Sequence, residues 1–434
     1  MTGLENINID DFNYDLPPGK IAQYPLEKRD HSKLLIYKNS DISQDAFYNI
    51  NDHLPSESLL VFNDTKVIHA RIIFKKETGT PIELFCLEPF NKELQIAFQQ
   101  QENCEWKCLV GNNKKWKSGL LKIENACLTP APMLSGVGME KATLYAEKIG
   151  QDNGNFIIRF SWKPKYLSFS EILEVFGKVP LPPYICRDAE KNDEDRYQTI
   201  FAKCDGSVAA PTAGLHFTEK VFHELAESGI KTQFLTLHVG TGTFKPVTDQ
   251  NISDHEMHEE HFSVSRQLLQ SIIKQGKNPI FPVGTTSLRT IESLYWLGVK
   301  QILKKENMLF LDQWESYQLD ENLPTPDNIG AGGQAGLPTG KAGKITVEDA
   351  LSVLLRQMDD LAVSQLNAST KMIIIPGYDF KIANGIITNF HQPRSTLLLL
   401  VAAMIGEKWK ETYEYALEND FRFLSYGDCC LFVK

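Results

Sequence analysis

The chain has 434 residues, of which 42% are hydrophobic and 23% are charged. This composition excludes a wholly disordered chain, a fibrous repeat and a small disulfide scaffold, and the length predicts two or three domains. The 45 basic and 55 acidic residues give a net charge of −10, so any contact with a nucleic acid would have to be local.

The sequence predicts neither a membrane span nor a leader segment. The longest apolar run, 397–405, has nine residues, whereas a spanning helix needs roughly 20. No Lys or Arg precedes Lys20, and the same segment carries Asp10, Asp11 and Asp15, the opposite of a secretory or transit peptide. The 8 cysteines are scattered along the chain, so we expect reduced thiols and a cytoplasmic protein.

The first strand-like runs lie at 59–62 and 67–74. The stretch 68–163 continues with short alternating runs and turn residues, without a convincing long helix. We therefore predict a small all-β barrel domain at 68–163, inserted into an α/β catalytic domain made of 1–67 and 164–434.

The predicted insert differs from the rest of the chain in charge. It carries 13 Lys and Arg against 10 Asp and Glu, a net charge of +3. Lys114, Lys115 and Lys117 flank Trp116, and cations mixed with aromatic side chains are typical of a surface that faces RNA. A solvated face of a β-barrel explains the same pattern equally well.

Beyond residue 168, predicted helices alternate with strands, which favours an α/β layer. Side chains typical of N-caps begin four helices: Ser168 (with Glu171 in a capping box), Thr218, Ser265 and Thr346. The last of these helices is predicted to run to about Leu366. Strand-like runs are found at 232–239, 372–375 and 429–433. The Gly-, Pro- and Ala-rich stretch 323–343 predicts a long flexible loop.

Four polar or glycine-rich segments have the character of ligand-binding loops: 206–218, 237–244, 283–289 and 388–396. In the first, small residues precede His216, which could also simply cap the next helix. The second ends a strand with a Gly-x-Gly turn, but it lacks the third glycine of a dinucleotide fingerprint. In the third, free N–H groups and Arg289 would suit an anion, although a plain helix start is the alternative. The fourth places His391 among polar residues before an apolar helix.

A metal site is a competing interpretation of His255, His258 and His261. They stand at i, i+3 and i+6 among acidic residues, but no HExxH motif is present, and this spacing puts the outer pair on different faces of a helix. We therefore expect no metal, with zinc as the alternative.

Motifs in the same order along the chain resemble the S-adenosylmethionine:tRNA ribosyltransferase-isomerase family of queuosine biosynthesis. The matching segments are FNYDLPPGKIAQYPLEKRDHSKLL (12–35), LLVFNDTKVIHARI (59–72), GKVPLPPYI (177–185), DRYQTIFA (195–202), GSVAAPTAGLHFT (206–218), LHVGTGTFKPV (237–247), HEMHEE (255–260), VGTTSLRTIES (283–293), IIPGYDF (374–380), ITNFHQPRSTLLLLV (387–401) and YGD (426–428). The resemblance covers nearly the whole chain except about 300–370, which we interpret as a family-atypical extension.

The resemblance implies an α/β main domain with an inserted β-barrel. It also implies an enzyme, both transferase and isomerase, that moves the ribosyl group of S-adenosylmethionine onto 7-aminomethyl-7-deazaguanine at the wobble position of tRNA with a GUN anticodon. The products would be epoxyqueuosine in tRNA, adenine and methionine. S-adenosylmethionine is then a consumed substrate, so no metal or redox cofactor is expected; nor is a membrane partner, and we expect a monomer.

This reaction requires a base that removes a proton beside the sulfonium and an acid that protonates adenine. Among residues in the matching motifs, we expect the catalytic groups to be His216, His391, His238 and Asp428, and we favour His216 and His391 for proton transfer. The expected substrate-binding residues are Asn63, Asp64, Thr65, Arg71, Thr212, Gly214, Gly240, Gly242, Thr243, Gly284, Thr285, Thr286, Ser287, Arg289, Asn389, Arg394 and Ser395. Lys114, Lys115 and Lys117 would bind tRNA.

Two local departures from the family pattern lie close to the expected active site. Asn384-Gly385 stands where an acidic residue is expected, and Gln392 replaces an apolar residue after His391. They leave two alternatives open: a divergent paralogue that uses S-adenosylmethionine on another acceptor, and an RNA-binding protein without catalysis.

Overall fold

The computed structural model describes residues 7–125, 141–152, 154–240, 247, 249–323 and 345–434. Within these residues the strands are β1 (Lys33–Lys38), β2 (Asp41–Ala46), β3 (Leu59–Asn63), β4 (Thr65–Val67), β5 (Arg71–Lys75), β6 (Pro81–Pro89), β7 (Asn103–Gly111), β8 (Leu121–Asn125), β9 (Ala142–Asp152), β10 (Asn155–Lys163), β11 (Gly177–Lys178), β12 (Cys204–Ser207), β13 (Lys231–Leu237), β14 (Glu260–Ser265), β15 (Ile280–Pro282), β16 (Phe310–Leu311), β17 (Gln365–Thr370), β18 (Gly385–Asn389) and β19 (Cys429–Val433). The helices are α1 (Ile50–His53), α2 (Leu94–Phe98), α3 (Phe169–Phe176), α4 (Lys191–Arg196), α5 (Glu219–Glu227), α6 (Arg266–Gln275), α7 (Thr285–Ile302), α8 (Glu315–Glu321), α9 (Val347–Asp360), α10 (Thr396–Ile405) and α11 (Lys408–Glu418).

A six-stranded mixed sheet, in the order β15-β3-β13-β14-β17-β16, forms the centre of the α/β part. β3 pairs in parallel with both β15 and β13, and all five of its residues are buried. A strand covered on both faces is apolar along most of its length, which explains the run Leu-Leu-Val-Phe. The predicted α/β layer is therefore confirmed as a mixed α/β fold.

Helix α7 is buried along nearly its whole length beside this sheet. Its close approach to α9 depends on Gly298, because a Cβ at that position would lie 2.2 Å from the carbonyl oxygen of Ala350. Glu292 on the same helix accepts hydrogen bonds from the backbone N–H groups of Lys381, Ile382 and Ala383. Helix α7 is thus held firmly from both sides, and its N-terminus has a fixed position.

A four-stranded sheet, in the order β18-β19-β1-β2, joins the larger sheet where β18 lies beside β15. Val283, directly after β15, forms a parallel bridge with Ile387 of β18. The N–H of Gly284 donates to the carbonyl of Ile387 at 2.8 Å. This bridge places the loop that follows β15 beside the loop that follows β18.

The region predicted as an insert forms a seven-stranded antiparallel sheet in the order β11-β5-β6-β7-β10-β9-β8. It has a hydrophobic core of its own, whose members run from Ile68 to Phe176 with Val208 added. Two short helices, α2 and α3, pack into this core, and β11 lies beyond the predicted boundary at 163. The antiparallel sheet is clear, whereas closure into a barrel and the domain boundaries stay predictions.

All four predicted helix starts are confirmed, and Ser168, Thr218, Ser265 and Thr346 each cap their helix through the side chain. Three details were wrong. Helix α9 ends at Asp360, and Leu366 belongs to β17. The apolar run 372–375 is buried but forms no strand, because its hydrophobicity serves core packing rather than a ladder. The run 67–74 is interrupted between β4 and β5.

In the described part of the chain, no helix has both the length and the apolar character that crossing a bilayer requires. The apolar run that begins at 397 lies in the ten-residue helix α10, which packs into the main core. Nearly all of the predicted loop at 323–343 lies outside the described residues.

Candidate active site

All four predicted loops contribute residues to one cleft, which opens where β15 and β18 end. The cleft encloses about 790 Å³, part of it open to solvent. Its walls comprise Tyr184, Ala209, Ala210, Pro211, Thr212, Ala213, Val239, Gly284, Thr285, Thr286, Thr388, Asn389, Phe390, His391, Gln392, Ser395, Leu397, Leu424 and Ser425. We call it the central cleft.

The N-terminus of α7 forms one wall of the central cleft. Its N-cap, Gly284, has φ +90°, a conformation that favours glycine, and offers no capping side chain. The first N–H groups of α7 and the hydroxyls of Thr285 and Thr286 are therefore at the cleft. Uncapped N–H groups with the positive end of a helix dipole suit a carboxylate or phosphate oxygen.

His391 also lines the central cleft and is 8% exposed. Its Nε2 lies 3.0 Å from the Thr388 hydroxyl, while Nδ1 has no hydrogen-bond partner among the described residues. The backbone around His391 is tied down by the hydroxyls of Tyr14 and Tyr413. Burial lowers the pKa of His391 to about 3, so the imidazole is neutral and has one nitrogen available to a ligand.

His216 stands behind the cleft with both ring nitrogens engaged. Nδ1 lies 2.8 Å from Ser32 Oγ, and Nε2 lies 3.3 Å from Asn389 Nδ2. Asn389 Nδ2 also donates to the carbonyl of Leu424 at 3.1 Å, and a carbonyl can only accept, so the orientation of the amide is determined. His216 Nε2 therefore accepts and Nδ1 carries the proton. Burial lowers the pKa of His216 to about 3.

These contacts leave Asn389 with a free acceptor. Both hydrogens of its amide nitrogen are directed to His216 and Leu424, and its Oδ1 is buried without a hydrogen-bond partner in the described part of the chain. Because Asn389 lines the cleft, this oxygen is available to an N–H group of a ligand.

His238 does not line the central cleft, although its neighbour Val239 does. Its Nδ1 lies 3.0 Å from the Thr65 hydroxyl, and Gly206 packs so closely that a Cβ there would lie 2.6 Å from that nitrogen. Burial lowers the pKa of His238 to about 4.

Asp428 lies outside the cleft lining and holds backbone instead. Its carboxylate accepts hydrogen bonds from the N–H groups of Lys33, at 3.0 Å, and Arg422, at 2.7 Å. Burial raises the pKa of Asp428. The aspartate of the YGD motif therefore joins the start of β1 to the C-terminal turn.

The arginines predicted to bind substrate are paired with carboxylates away from the cleft lining. Arg289 bonds to Glu260 inside the core, with its Nε and Nη1 left without partners in the described residues. Arg394 lies 3.0 Å from Asp10, and Arg71 bonds to Glu83 in the seven-stranded sheet. A sequence motif identifies an arginine as a possible ligand group, but only the fold shows which carboxylate is paired with it.

The other predicted residues divide between cleft and framework. Thr212, Gly284, Thr285, Thr286, Asn389 and Ser395 line the cleft. Asn63, Asp64, Thr65, Gly214, Ser287 and Gly240 are not among its walls. The side-chain amide of Asn63, for example, forms hydrogen bonds with the backbone of Leu237 and Thr65. Gly242 and Thr243 lie outside the described residues.

Sequence reasoning missed two polar cleft residues, Tyr184 and Ser425. The Tyr184 hydroxyl lies 2.7 Å from Ser425 Oγ, and burial raises the pKa of Tyr184 to about 12. Tyr184 belongs to the GKVPLPPYI motif, so a signal was present. Ser425 directly precedes YGD and carried no signal of its own.

Of the two local departures, only Gln392 lines the cleft. Asn384 instead accepts from the N–H of Ile280 through its side chain at 2.9 Å, at the opposite end of β18. Gly385 is required by packing, since a Cβ there would lie 2.4 Å from the Phe281 ring. Asn384 and Gly385 therefore lie outside the lining of the central cleft.

The basic patch of the seven-stranded sheet is an open depression. Lys114 and Lys117 line it with Lys148, which lies 4.7 Å from the Trp116 ring and 4.4 Å from the Phe156 ring. Lys115 is beside it, and its carbonyl accepts from Lys76. Binding of RNA by this patch stays a prediction.

The zinc alternative finds no geometric support in the described part of the chain. His255 lies near Asp249 and His261 near Glu259. Among those residues, no group of three or more His, Cys, Asp or Glu side chains is arranged to hold a metal ion.

Comparison with known proteins places the chain in a family. The family model described as "Queuosine biosynthesis protein" matches residues 9–325 and 345–432. Within the predicted extension at 300–370, the match omits only 326–344, which narrows the atypical stretch.

Two relatives are S-adenosylmethionine:tRNA ribosyltransferase-isomerases, from Halothermothrix orenii and a Sulfurihydrogenibium species. Each is 33% identical over 433 residues, covering 98% of this chain and 100% of the relative. The solved structure of an S-adenosylmethionine tRNA ribosyltransferase from Thermotoga maritima is 25% identical, with a TM-score of 0.42 over 97% of this chain and 99% of that one. With the family model matching most of its length, this chain belongs to the queuosine biosynthesis protein family.

Proposed function

We propose that this protein is an S-adenosylmethionine:tRNA ribosyltransferase-isomerase. It transfers and isomerises the ribosyl group of S-adenosylmethionine onto 7-aminomethyl-7-deazaguanine in tRNA, releasing adenine and methionine. The full-length similarity to relatives of that name supports the activity. The observation that carries the proposal in the structure is the central cleft, where five of the family motifs meet around a neutral histidine and an uncapped helix N-terminus.

His391 is the proton-transfer group in this proposal. A neutral imidazole can take a proton, and Nδ1 of His391 is unengaged at the cleft. The sulfonium of the substrate makes the C–H of the adjacent ribose carbon more acidic, so that a base with a low pKa can remove this proton.

His216, predicted as a second proton-transfer group, fits a positioning role better. Both of its ring nitrogens are engaged, and one of them holds the amide of Asn389. Asn389 Oδ1 would then accept an N–H of the substrate, either the amino group of adenine or the amine of the acceptor base.

The N-terminus of α7 would bind the methionine carboxylate. It offers N–H groups and two threonine hydroxyls, whereas Arg289 and Arg394, expected in this role, are paired with Glu260 and Asp10.

The finer features of the function follow the family resemblance. We propose tRNA with a GUN anticodon as the partner, a monomeric enzyme and a cytoplasmic location. No metal or redox cofactor is required, because the sulfonium supplies the leaving group.

Adenine release from S-adenosylmethionine tests the proposal, with tRNA that carries 7-aminomethyl-7-deazaguanine. Stoichiometric adenine and an epoxide-bearing nucleoside in the digested tRNA are expected. Adenine release only with another acceptor would indicate a paralogue, for which Gln392 in the cleft is the first residue to exchange. Binding of tRNA without adenine release would indicate a protein that has lost catalysis.

A further inference from the structure

A second cavity lies directly behind the central cleft and contains three arginines. Its space of about 300 Å³ includes open solvent, and it is lined by Pro25, Leu26, Arg29, Ser32, Arg196, Leu215, His216, Arg422, Ser425, Tyr426 and Gly427. These residues come from the family motifs at 12–35, 195–202, 206–218 and 426–428 and from the segment just before the last. The proposed chemistry leaves most of them without a role. We call this cavity the arginine pocket.

Two of the three guanidinium groups in the arginine pocket, those of Arg29 and Arg196, form no ion pair in the described part of the chain. Arg29 donates to the carbonyls of Gln198 and Asp195, and Arg196 donates to those of Leu26 and Glu27. A carbonyl carries no formal charge. Among the described residues, neither guanidinium has a carboxylate within the 4.0 Å of an ion pair, although most arginines of this protein do.

Three carboxylates lie near the arginine pocket without lining it, and one of them, Asp195, attracts Arg29 without forming an ion pair in the described residues. Asp193 pairs with Arg187 at 2.7 Å and accepts from the Tyr426 hydroxyl. Asp428 accepts two backbone N–H groups and lies 3.6 Å from Arg422. No acidic side chain lines the arginine pocket.

The guanidinium groups also lie close enough to oppose one another. Burial lowers the pKa of Arg29, and the charge of Arg196 lowers it further. Arg196 Nε is buried without a hydrogen-bond partner in the described part of the chain. Clustered arginines with unused N–H groups fit an anion with several oxygens, such as a phosphate.

The location of the pocket selects the kind of phosphate. Ser425 lines both cavities, and His216 separates them, since it lines the arginine pocket and contacts Asn389 of the central cleft. A nucleotide carries its base and its phosphate on opposite sides of the sugar. A base in the central cleft would therefore bring its own or a neighbouring phosphate to the arginine pocket.

We infer that Arg29, Arg196 and Arg422 bind a backbone phosphodiester of tRNA next to the nucleotide that enters the central cleft. The inference rests on the proposed function and deepens it by assigning a site to the polynucleotide. It also explains how a protein with a net charge of −10 attracts RNA, because the cations are concentrated beside the reacting groups.

The test measures tRNA affinity at several salt concentrations for Arg29→Gln, Arg196→Gln and Arg422→Gln. Arg422→Gln is the key variant, because we expect it to fold normally. The Arg422 side chain is 30% exposed, and its hydrogen bond to the Tyr24 carbonyl is long, at 3.4 Å. Arg266→Gln is the matched control, an arginine paired with Asp359 at 2.6 Å on α6.

Removing one phosphate contact should reduce the slope of log affinity against log salt by about 1. The ratio of wild-type to variant tRNA affinity should then shrink roughly fourfold between about 50 and about 200 mM salt. The control should keep the wild-type slope, and the affinity for S-adenosylmethionine should be unchanged in all variants. Thermal unfolding checks that each variant is folded.

Two results would overturn the inference. In one, folded Arg422→Gln keeps the wild-type tRNA affinity and slope. In the other, the arginine variants lose affinity for S-adenosylmethionine and not for tRNA, which would mean that the arginine pocket binds the carboxylate of S-adenosylmethionine. Failure of the proposed function looks different, because wild-type protein would then release no adenine in the presence of tRNA.

Discussion

The central cleft and the seven-stranded sheet are built in different ways. The cleft is assembled from residues as far apart as Tyr184 and Ser425, whereas the sheet is formed almost entirely by one continuous stretch. The cleft buries neutral polar groups such as His391 and Asn389, while the sheet presents its lysines in an open depression. The difference indicates that chemistry needs distant segments locked together, whereas a surface for a polyanion can be built locally.

Substituting His391 should have the largest effect and should be confined to the cleft. We expect His391→Ala to lower the turnover number by about 10²–10⁴-fold, as loss of a general acid or base does, with tRNA affinity nearly unchanged. Single-turnover adenine release and tRNA binding measure the two quantities. His223→Ala, which removes a histidine whose side chain is 73% exposed on α5, is the control. Normal turnover in His391→Ala would remove this residue from the mechanism.

Truncating the core of the seven-stranded sheet tests whether the two regions are independent. Trp106 is fully buried, with its ring centroid 5.6 Å from Phe98 and 5.2 Å from Phe169. Trp106→Ala should lower the free energy of unfolding by about 3–5 kcal/mol. Denaturant unfolding measures this loss, and S-adenosylmethionine binding at low temperature should be unaffected. A parallel loss of that binding would show that cleft and sheet form one cooperative unit.

The pH dependence of stability should include a contribution from the two buried histidines in and behind the central cleft. His216 and His391 have pKa values lowered to about 3 in the folded protein, against about 6.5 when unfolded. The unfolded chain therefore binds more protons below pH 6.5, and the free energy of unfolding should fall as the pH decreases from about 6.5 towards 3. Urea unfolding at several pH values measures the slope. His391→Gln should flatten it and His223→Gln should not; an unchanged slope in His391→Gln would mean that His391 is not buried neutral.

The lysine patch should give the smallest effect for each residue changed. Replacing Lys114, Lys115 and Lys117 together by Ala should weaken tRNA binding and reduce its salt dependence, since each phosphate contact contributes about 0.9 to the slope. The exposed lysines Lys220, Lys408 and Lys410 of the α/β part, replaced together, are the matched control. Equal effects of the two triple variants would make the patch an ordinary solvated surface.

The local features of the fold could be predicted from the sequence because their causes are local. The capping side chains of Ser168 and Thr346 act within three residues, so both helix starts are where the sequence indicated. The end of α9 was misplaced because the amphipathic pattern continues into β17, and only pairing with β14 makes Leu366 a strand residue.

The motifs by themselves determined which loops carry the site, and all four of these loops contribute residues to the central cleft. Which side chains face a ligand was decided by tertiary structure alone. Arg289 and Asp428 look like binding and catalytic groups in the sequence, but Glu260 and the backbone of Lys33 and Arg422 engage them in the fold. The physical reason is that a buried charge must find a partner, and that partner lies far away in the sequence. The meeting of Arg29, Arg196 and Arg422 is likewise a product of packing, because no spacing along the chain relates them.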